Sequence, residues 1–282
     1  MKISIEQGGV AALWQATLNP GEVGLAWLGQ AGFAVRTRST RVVIDPYLSD
    51  SLAQKYRGTA YPHTRMMPPP IAPGALTEVD YVFSTHRHTD HLDAATIMPL
   101  AAANPTAQFV APAAEICAAT KAGMPAERTW LVDAGQSRVL ADELRIDVLP
   151  AAHEELKRDH EGRHHYLGYT LHLGGISIYH SGDTIPFEGF VDAVRRTSPT
   201  LALLPVNGRD TERTSRGVIG NMDFEEAVAL CRACGIKYFI PHHFGLFDFN
   251  TVDVGELEKK LRKASDLNGV LPRVDEWYRL QA

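Results

Sequence analysis

The chain has 282 residues, of which 45% are hydrophobic, and its 28 basic and 33 acidic side chains give a net charge of −5. This composition predicts a folded globular protein, and the acidic balance argues against a nucleic-acid surface, which needs clustered Lys and Arg. Three cysteines cannot form a disulfide framework, Glu6 lies where a signal peptide would be apolar, and no apolar run reaches membrane length. We therefore expect a cytoplasmic protein with no nucleic-acid or membrane partner. The twelve histidines stand out, because histidine is the commonest metal ligand.

Runs of β-branched and aromatic residues between Gly and Pro turns predict a meander of strands, followed by strands that alternate with helices. The predicted strands are Val23–Leu28, Phe33–Thr37, Arg41–Ile44, Tyr81–Ser84, Phe109–Val110, Leu144–Leu149, Leu167–Leu173, Ile176–Tyr179, Leu201–Val206, Ile236–Ile240 and Glu276–Leu280. The predicted helices are Gly9–Leu18, Ala94–Ala103, Ala113–Ala122, Phe187–Arg196, Phe224–Cys234 and Val254–Ala264. The proline-rich stretch Pro62–Gly74 is predicted as a loop, because proline removes backbone donors. This order indicates an α/β (α+β) protein in which helices cover sheets.

Histidine and aspartate follow several of the apolar strands directly. These residues are Asp45 after Arg41–Ile44, His86 after Tyr81–Ser84, His153 after Leu144–Leu149, His180 and Asp183 after Ile176–Tyr179, and His242 and His243 after Ile236–Ile240. The carboxyl ends of strands are where ligand sites collect in α/β architectures. The sequence therefore predicts one site built from several strand ends.

The segment Thr85-His86-Arg87-His88-Thr89-Asp90-His91 carries the strongest single signal. In an extended run, side chains two residues apart share a side, so His86 and His88 can bind one ion together. Asp90 and His91 follow as the chain turns, and they can reach a second ion. Imidazoles and a carboxylate without thiolates suit zinc, manganese or iron rather than a purely structural zinc site.

With this motif, His153, Asp183 and the late His243, the chain resembles the metallo-β-lactamase superfamily. Within the superfamily it is most similar to the L-ascorbate-6-phosphate lactonase branch. That similarity lies in segments less specific than the histidine motif, such as Trp27-Leu28-Gly29-Gln30-Ala31-Gly32-Phe33 and Pro205-Val206-Asn207-Gly208-Arg209-Asp210. The resemblance implies a four-layer αββα metallo-β-lactamase sandwich, formed as a single domain over residues 1–282. It also implies, by analogy, a homo-oligomer.

The resemblance further implies two divalent metal ions, Zn or Mn, with Fe as a further choice. His86, His88 and His153 would hold the first ion. Asp90, His91 and His243 would hold the second, and Asp183 would bridge the two. The ions would supply hydroxide at neutral pH, held near the catalytic residues Asp90 and Asp183, to attack an electrophilic carbonyl or phosphorus.

Three further residues are predicted to lie behind the ligands. Neighbours in an extended segment point opposite ways, so only one of His242 and His243 is expected to face the metals, and the family pattern favours His243. His180 is expected to pack behind the site. Asp45 is expected to hydrogen bond to the histidine loop from behind, although a bridging role stays open.

The loop Asn207–Asn221 supplies the predicted substrate contacts, because a phosphate or carboxylate is bound by Arg-type donors. Asn207, Arg209 and Asn221 are assigned this role, with a solvated loop of mixed charge as the alternative. Cys231 and Cys234 form a CxxC pair that no further cysteine or local histidine completes, so we interpret them as core residues of a helix.

These features predict a metal-dependent hydrolase acting on a small anionic molecule, with the lactone of a phosphorylated sugar acid as the leading substrate. A phosphodiesterase of the same fold would use the same ligands, although net acidity makes RNA less attractive. A di-iron oxidoreductase is disfavoured, because that branch typically has Glu where this chain has His88. A non-catalytic metal-binding protein is the last alternative.

Overall fold

The computed structural model describes all 282 residues, which form fifteen strands and eight α-helices. The strands are β1 Lys2–Gln7, β2 Glu22–Gly29, β3 Gly32–Arg36, β4 Arg41–Ile44, β5 Tyr81–Phe83, β6 Gln108–Pro112, β7 Thr129–Val132, β8 Ser137–Ala141, β9 Leu144–Pro150, β10 Leu167–Leu173, β11 Ile176–His180, β12 Leu201–Pro205, β13 Tyr238–His242, β14 Asn268–Gly269 and β15 Glu276–Gln281. The helices are α1 Gly9–Gln15, α2 Ser51–Lys55, α3 Ala94–Ala103, α4 Ile116–Lys121, α5 Phe190–Arg196, α6 Thr211–Ser215, α7 Phe224–Cys234 and α8 Val254–Lys263.

The strands form two mixed sheets. The first sheet has eight strands in the order β1-β15-β2-β3-β4-β5-β6-β7, antiparallel as far as β4 and parallel from β4 onward. The second has seven strands in the order β14-β13-β12-β11-β10-β9-β8, parallel from β14 to β11 and antiparallel beyond. Each sheet therefore has a parallel half whose strands all end at the same edge.

Strand β2 shows how the layers pack, because every one of its residues is buried. Leu25 and Trp27 belong to the large apolar cluster that also holds residues of both sheets, whereas Ala26 and Leu28 belong to a separate cluster with α1 and α3. Successive side chains of a strand point to opposite faces, so one face of β2 meets the second sheet and the other meets the helices. A strand covered on both sides has no polar face.

The second sheet is covered on its outer face by α5, α7 and α8, whose apolar side chains join the larger cluster. Asp223 caps the N-terminus of helix α7, where it forms a capping box with Glu226. Gly235, in the left-handed conformation, caps the C-terminus. Cys231 on this helix is fully buried, in agreement with its prediction as a core residue. The result is the four-layer αββα sandwich that the resemblance implied.

Most predicted strands and helices are present with shifts of a few residues at their ends. The edge strands β1, β7, β8 and β14 and the short helices α2 and α6 were not predicted. Three helices were predicted too long, since Gly9–Leu18 ends at Gln15, Ala113–Ala122 begins with a 3₁₀ turn and Phe187–Arg196 begins at Phe190. Edge strands are hard to predict because one side of the strand faces solvent and its pattern is more polar. None of the helices has the length and apolar character that crossing a bilayer requires.

Candidate metal centre

The histidine loop after β5 is fixed by a buried carboxylate. Asp45, directly after β4, accepts hydrogen bonds from the backbone N of Thr85 at 2.8 Å and from its Oγ1 at 2.7 Å. Oδ2 of Asp45 also lies 2.7 Å from Nδ1 of His91. Because β4 and β5 are parallel neighbours, they deliver Asp45 and the loop to the same edge of the sheet. The structure therefore places Asp45 behind the loop, where it orients His91.

A first group of three imidazoles forms what we call the first site. One ring nitrogen from each of His86, His88 and His153 lies within 4.8 Å of the others. His86 and His88 come from the loop after β5, whereas His153 follows β9 in the second sheet. The ring of Tyr166, which sequence analysis did not single out, packs 5.3 Å from the His86 ring and 5.4 Å from the His153 ring. The first site thus takes ligands from both sheets and packs against the ring of Tyr166.

A second group, which we call the second site, consists of Asp90, His91 and His243, again with one ligand atom each within 4.8 Å. Since Nδ1 of His91 is bound to Asp45, its Nε2 points the other way, 3.7 Å from Oδ2 of Asp90. Nε2 of His243 lies 3.6 Å from the same oxygen. Two imidazoles and a carboxylate therefore converge on one point.

Asp183 lies between the two sites. Its carboxylate oxygens are 3.3 Å from Nε2 of His91, 3.1 Å from Nε2 of His243 and 3.8 Å from Nε2 of His153. The turn after β11 delivers it, and Gly182 at φ +61° passes so close to Thr85 and Leu167 that a Cβ there would clash. Asp183 therefore contacts residues of both sites, and its carboxylate also groups with His86 and His91, one ligand atom of each lying within 4.8 Å of the others. This is the position that a bridging carboxylate requires.

Burial and charge divide the histidines into two groups. Burial lowers the pKa of His86, His88 and His153, in the last case to about 3. Burial also acts to lower the pKa of His91, but the carboxylates of Asp183, Asp45 and Asp90 outweigh it and raise that pKa well above its ordinary value. Burial therefore favours the neutral form of the first-site imidazoles, whereas the three carboxylates favour the protonated form of His91 by raising its pKa.

The donor set fits divalent metal ions. Nε2 of His86, Nε2 of His91 and Oδ1 of Asp183 are buried and have no hydrogen-bond partner within the protein. Buried polar atoms are rarely left unpaired, so a cluster of them aimed at common points indicates bound ions. Imidazole and carboxylate donors without thiolate match zinc, manganese or iron.

The two neighbouring histidines after β13 have different surroundings. His243 belongs to the second site, whereas His242 stacks on His180, with ring centroids 5.1 Å apart. Nε2 of His180 lies 2.7 Å from the backbone oxygen of Ala31. His242 and His180 therefore pack between the sheets behind the metal centre.

A cavity of about 640 Å³ opens in front of both sites. One wall of the cavity is aromatic. The ring of Tyr56 stacks on that of His63 with centroids 4.2 Å apart, and the ring of Tyr61 packs on that of Phe249 with centroids 4.6 Å apart. Three cationic side chains also line the cavity, namely Lys55, Arg87 and Arg216. The aromatic wall was not predicted from the sequence, because its residues come from the segment after α2 and the segment after His243, neither of which carries a motif.

The three residues predicted to contact substrate do not line this cavity. Nδ2 of Asn221 donates to Oδ1 of Asn207, whose own Nδ2 donates to Asn250 at 2.8 Å. Arg209 forms a bidentate ion pair with Glu226 at 2.6 and 2.7 Å. Asn250 does line the cavity, so these three residues support the wall from behind, whereas residues 216–219 of the same predicted loop line the cavity directly.

Comparisons with known proteins agree with this fold and site. A model of the beta-lactamase superfamily domain matches residues 40–244. A UPF0173 metal-dependent hydrolase from Myxococcus xanthus is 30% identical over 261 residues, which span 89% of this chain and 81% of the relative. Among solved structures, the metallo hydrolase Igni18 from Ignicoccus hospitalis has a TM-score of 0.66 at 22% identity and covers 93% of this chain and 99% of its own. An isothiocyanate hydrolase from Delia radicum gut bacteria has a TM-score of 0.70 at 19% identity, with 90% and 97% covered.

An αββα sandwich that gathers His and Asp from both sheets at one edge defines the class, a metal-dependent hydrolase of the metallo-β-lactamase fold. More narrowly, the chain belongs to the UPF0173 family of metal-dependent hydrolases within the metallo-β-lactamase superfamily. The lactonase branch that the sequence resembled is a narrower assignment than these comparisons make.

Proposed function

We propose that this hydrolase opens a small anionic lactone, with the lactone of a sugar acid, phosphorylated or not, as the leading substrate. The observation that carries the proposal is the cavity, whose lining combines cationic and aromatic side chains with residues of both metal sites. Its volume of about 640 Å³ is that of a small-molecule pocket.

The cavity offers different contacts to the two ends of such a substrate. Aromatic faces such as those of Tyr56 and Tyr61 pack against the C–H groups of a ring. Lys55 and Arg216 can pair with a phosphate or carboxylate. The half-exposed guanidinium of Arg216 lies over the ring of Tyr61 and forms an ion pair with the exposed carboxylate of Glu212 at 2.9 Å, which an anionic substrate in the cavity would have to replace or share. A lactone held in this way presents its carbonyl to the metal centre.

Two divalent ions, which we take to be Zn²⁺ or Mn²⁺ with Fe as a further choice, would be held by the first and second sites with Asp183 between them. When bound, such ions supply Lewis-acid polarisation of a carbonyl oxygen and a water whose pKa is lowered to ~7. Asp90 is 18% exposed and Asp183 only 4%, so Asp90 is the carboxylate open to the cavity. We assign Asp90 as the group that accepts a proton from the attacking water, and Asp183 as the group that orients it.

A phosphodiester of a small molecule is the second candidate, because Arg87 and Arg216 suit a phosphate equally well. A cavity of this volume favours a compact substrate over a polymer. Di-iron oxidation is not favoured by any contact that we find in the site.

The test is a hydrolysis panel with the protein loaded with Zn²⁺ or Mn²⁺. It compares sugar-acid lactones with and without phosphate, a neutral lactone of the same ring size, and a small phosphodiester. The proposal predicts that an anionic lactone has the highest kcat/KM. A higher kcat/KM for the phosphodiester would favour the second candidate. A higher kcat/KM for the neutral lactone would show that the cationic side chains of the cavity do not bind the substrate.

A further inference from the structure

Gln30 lies in the turn between β2 and β3, and it is held between the two sheets. Its backbone oxygen accepts hydrogen bonds from Nε1 of Trp27 at 3.0 Å and from the backbone N of His243 at 2.9 Å. The residue has a φ of +51° and is only 1% exposed. Positive φ is uncommon for a residue with a side chain, and such strain collects at functional sites. The turn therefore keeps a long polar side chain where glycine would fit the backbone better.

The side chain of Gln30 ends at the second site. Its Nε2 donates to Oδ2 of Asp90 at 2.8 Å and lies 3.2 Å from Nε2 of His243. These are the two atoms of Asp90 and His243 that face the carboxylate and imidazole cluster. The other amide atom, Oε1, is buried without a partner. The carboxamide thus contacts two of the three residues of the second site and none of the first.

We propose that Gln30 is a positioning residue for the second metal site. Its amide N–H fixes the Asp90 carboxylate in the orientation that binds the second ion. An ionised carboxylate oxygen has two lone pairs, so Oδ2 accepts from Gln30 and still faces the ion. Hydrogen-bond partners of metal ligands commonly tune metal affinity in this way. The inference rests on the proposed two-ion site.

The experiment is a calorimetric titration of the metal-free protein with Zn²⁺, repeated with Co²⁺ to record the absorption spectrum of each bound ion. Asp90→Ala identifies the binding step that belongs to the second site. Gln30→Met keeps the length and the backbone strain of the residue but removes the amide. We expect it to weaken the second-site step by about tenfold and to leave the first-site step unchanged. The Co²⁺ spectrum should change for the second-site ion alone.

Two variants separate this role from a structural one. Gln30→Gly relieves the strained backbone, so the turn is retained while the amide is lost, and we expect the same loss at the second site. Gln281→Met makes the same chemical change at an amide that donates to Glu22 at 2.8 Å on the first sheet, and it should alter neither step.

Wild-type metal affinity at both sites in Gln30→Met and Gln30→Gly would overturn the proposal. Equal weakening of metal binding at both sites would also overturn it, because it would show that Gln30 has a purely structural role. If the wild-type protein binds one ion per chain, the two-ion site itself is overturned, and with it this inference. A substrate panel is not needed for any of these outcomes, so failure of the lactone assignment leaves the result intact.

Discussion

Nδ1 of His91 lies 2.7 Å from Oδ2 of Asp45, and both side chains are fully buried. The same carboxylate accepts both hydrogen bonds from Thr85, so one residue fixes the histidine loop and the ring that projects from it. Nδ1 of His91 must carry hydrogen to donate to Asp45, which leaves Nε2 to bind a metal. The orientation of His91 in the second site is therefore fixed by Asp45, which follows β4 of the first sheet.

Asp45→Asn should weaken second-site metal binding by about 10–100-fold, because the amide turns a donor toward Nδ1 of His91 and forces the other tautomer. The loss of a buried charged hydrogen bond should also lower the free energy of unfolding by roughly 1–3 kcal/mol. Metal titration and thermal unfolding measure the two effects. Asp159→Asn, at a carboxylate bound to Arg163 far from the motif, serves as the control, and unchanged second-site affinity in Asp45→Asn would contradict the account.

Asp183→Ala should reduce metal content at both sites and hydrolysis with it. The carboxylate contacts His91, His243 and His153, so its removal takes a donor from each ion. We expect affinity to fall by more than about a hundredfold at the second site and somewhat less at the first. Elemental analysis after dialysis measures the ions retained. Loss of activity with both ions still bound would show that Asp183 does not bridge them.

The two sites should differ in their pH dependence. Burial holds the pKa values of His86, His88 and His153 below the ordinary range, so these rings are already deprotonated at pH 7. The pKa of His91 is raised, so the second ion must displace its proton. Second-site affinity should therefore rise with pH above the ordinary histidine pKa, by at most about tenfold per pH unit, until the raised pKa of His91 is passed, while first-site affinity stays nearly flat. Calorimetry in buffers of different ionisation enthalpy counts the protons released, and equal release at both sites would be inconsistent with this difference.

Local strand patterns and the His86–His91 spacing predicted sheets covered by helices and grouped the His and Asp residues at one edge. The four-layer sandwich was implied by the resemblance to the metallo-β-lactamase superfamily and not by these local signals. The sequence did not predict the aromatic wall or the Gln30 contact, which depend on segments far apart in the chain. Arg209 illustrates the limit: its residue type suited an anion, but its partner Glu226 is supplied by the following helix, α7. A charged side chain's role depends on which opposite charge the fold places beside it.

Arg216→Met should raise KM for an anionic substrate by about fivefold, since a half-exposed charge contributes ~1 kcal/mol, and it should leave metal content unchanged. Arg209→Met is the matched control, because its guanidinium is bound to Glu226 outside the cavity. Steady-state kinetics with phosphorylated and neutral lactones compares the two. An effect of Arg209→Met larger than that of Arg216→Met would return the substrate contact to Arg209, the residue predicted from the sequence.

The central claim, a two-ion hydrolase, is tested most directly by measuring bound transition metal per chain alongside hydrolysis of the lactone panel. Chelator-treated protein is reloaded with Zn²⁺ or Mn²⁺, and metal content is determined after removal of free ions. The account predicts that two ions bind per chain, that chelation abolishes hydrolysis and that reloading restores it. Fewer than one tightly bound ion per chain, with no recovery of hydrolysis on adding either metal, would contradict it.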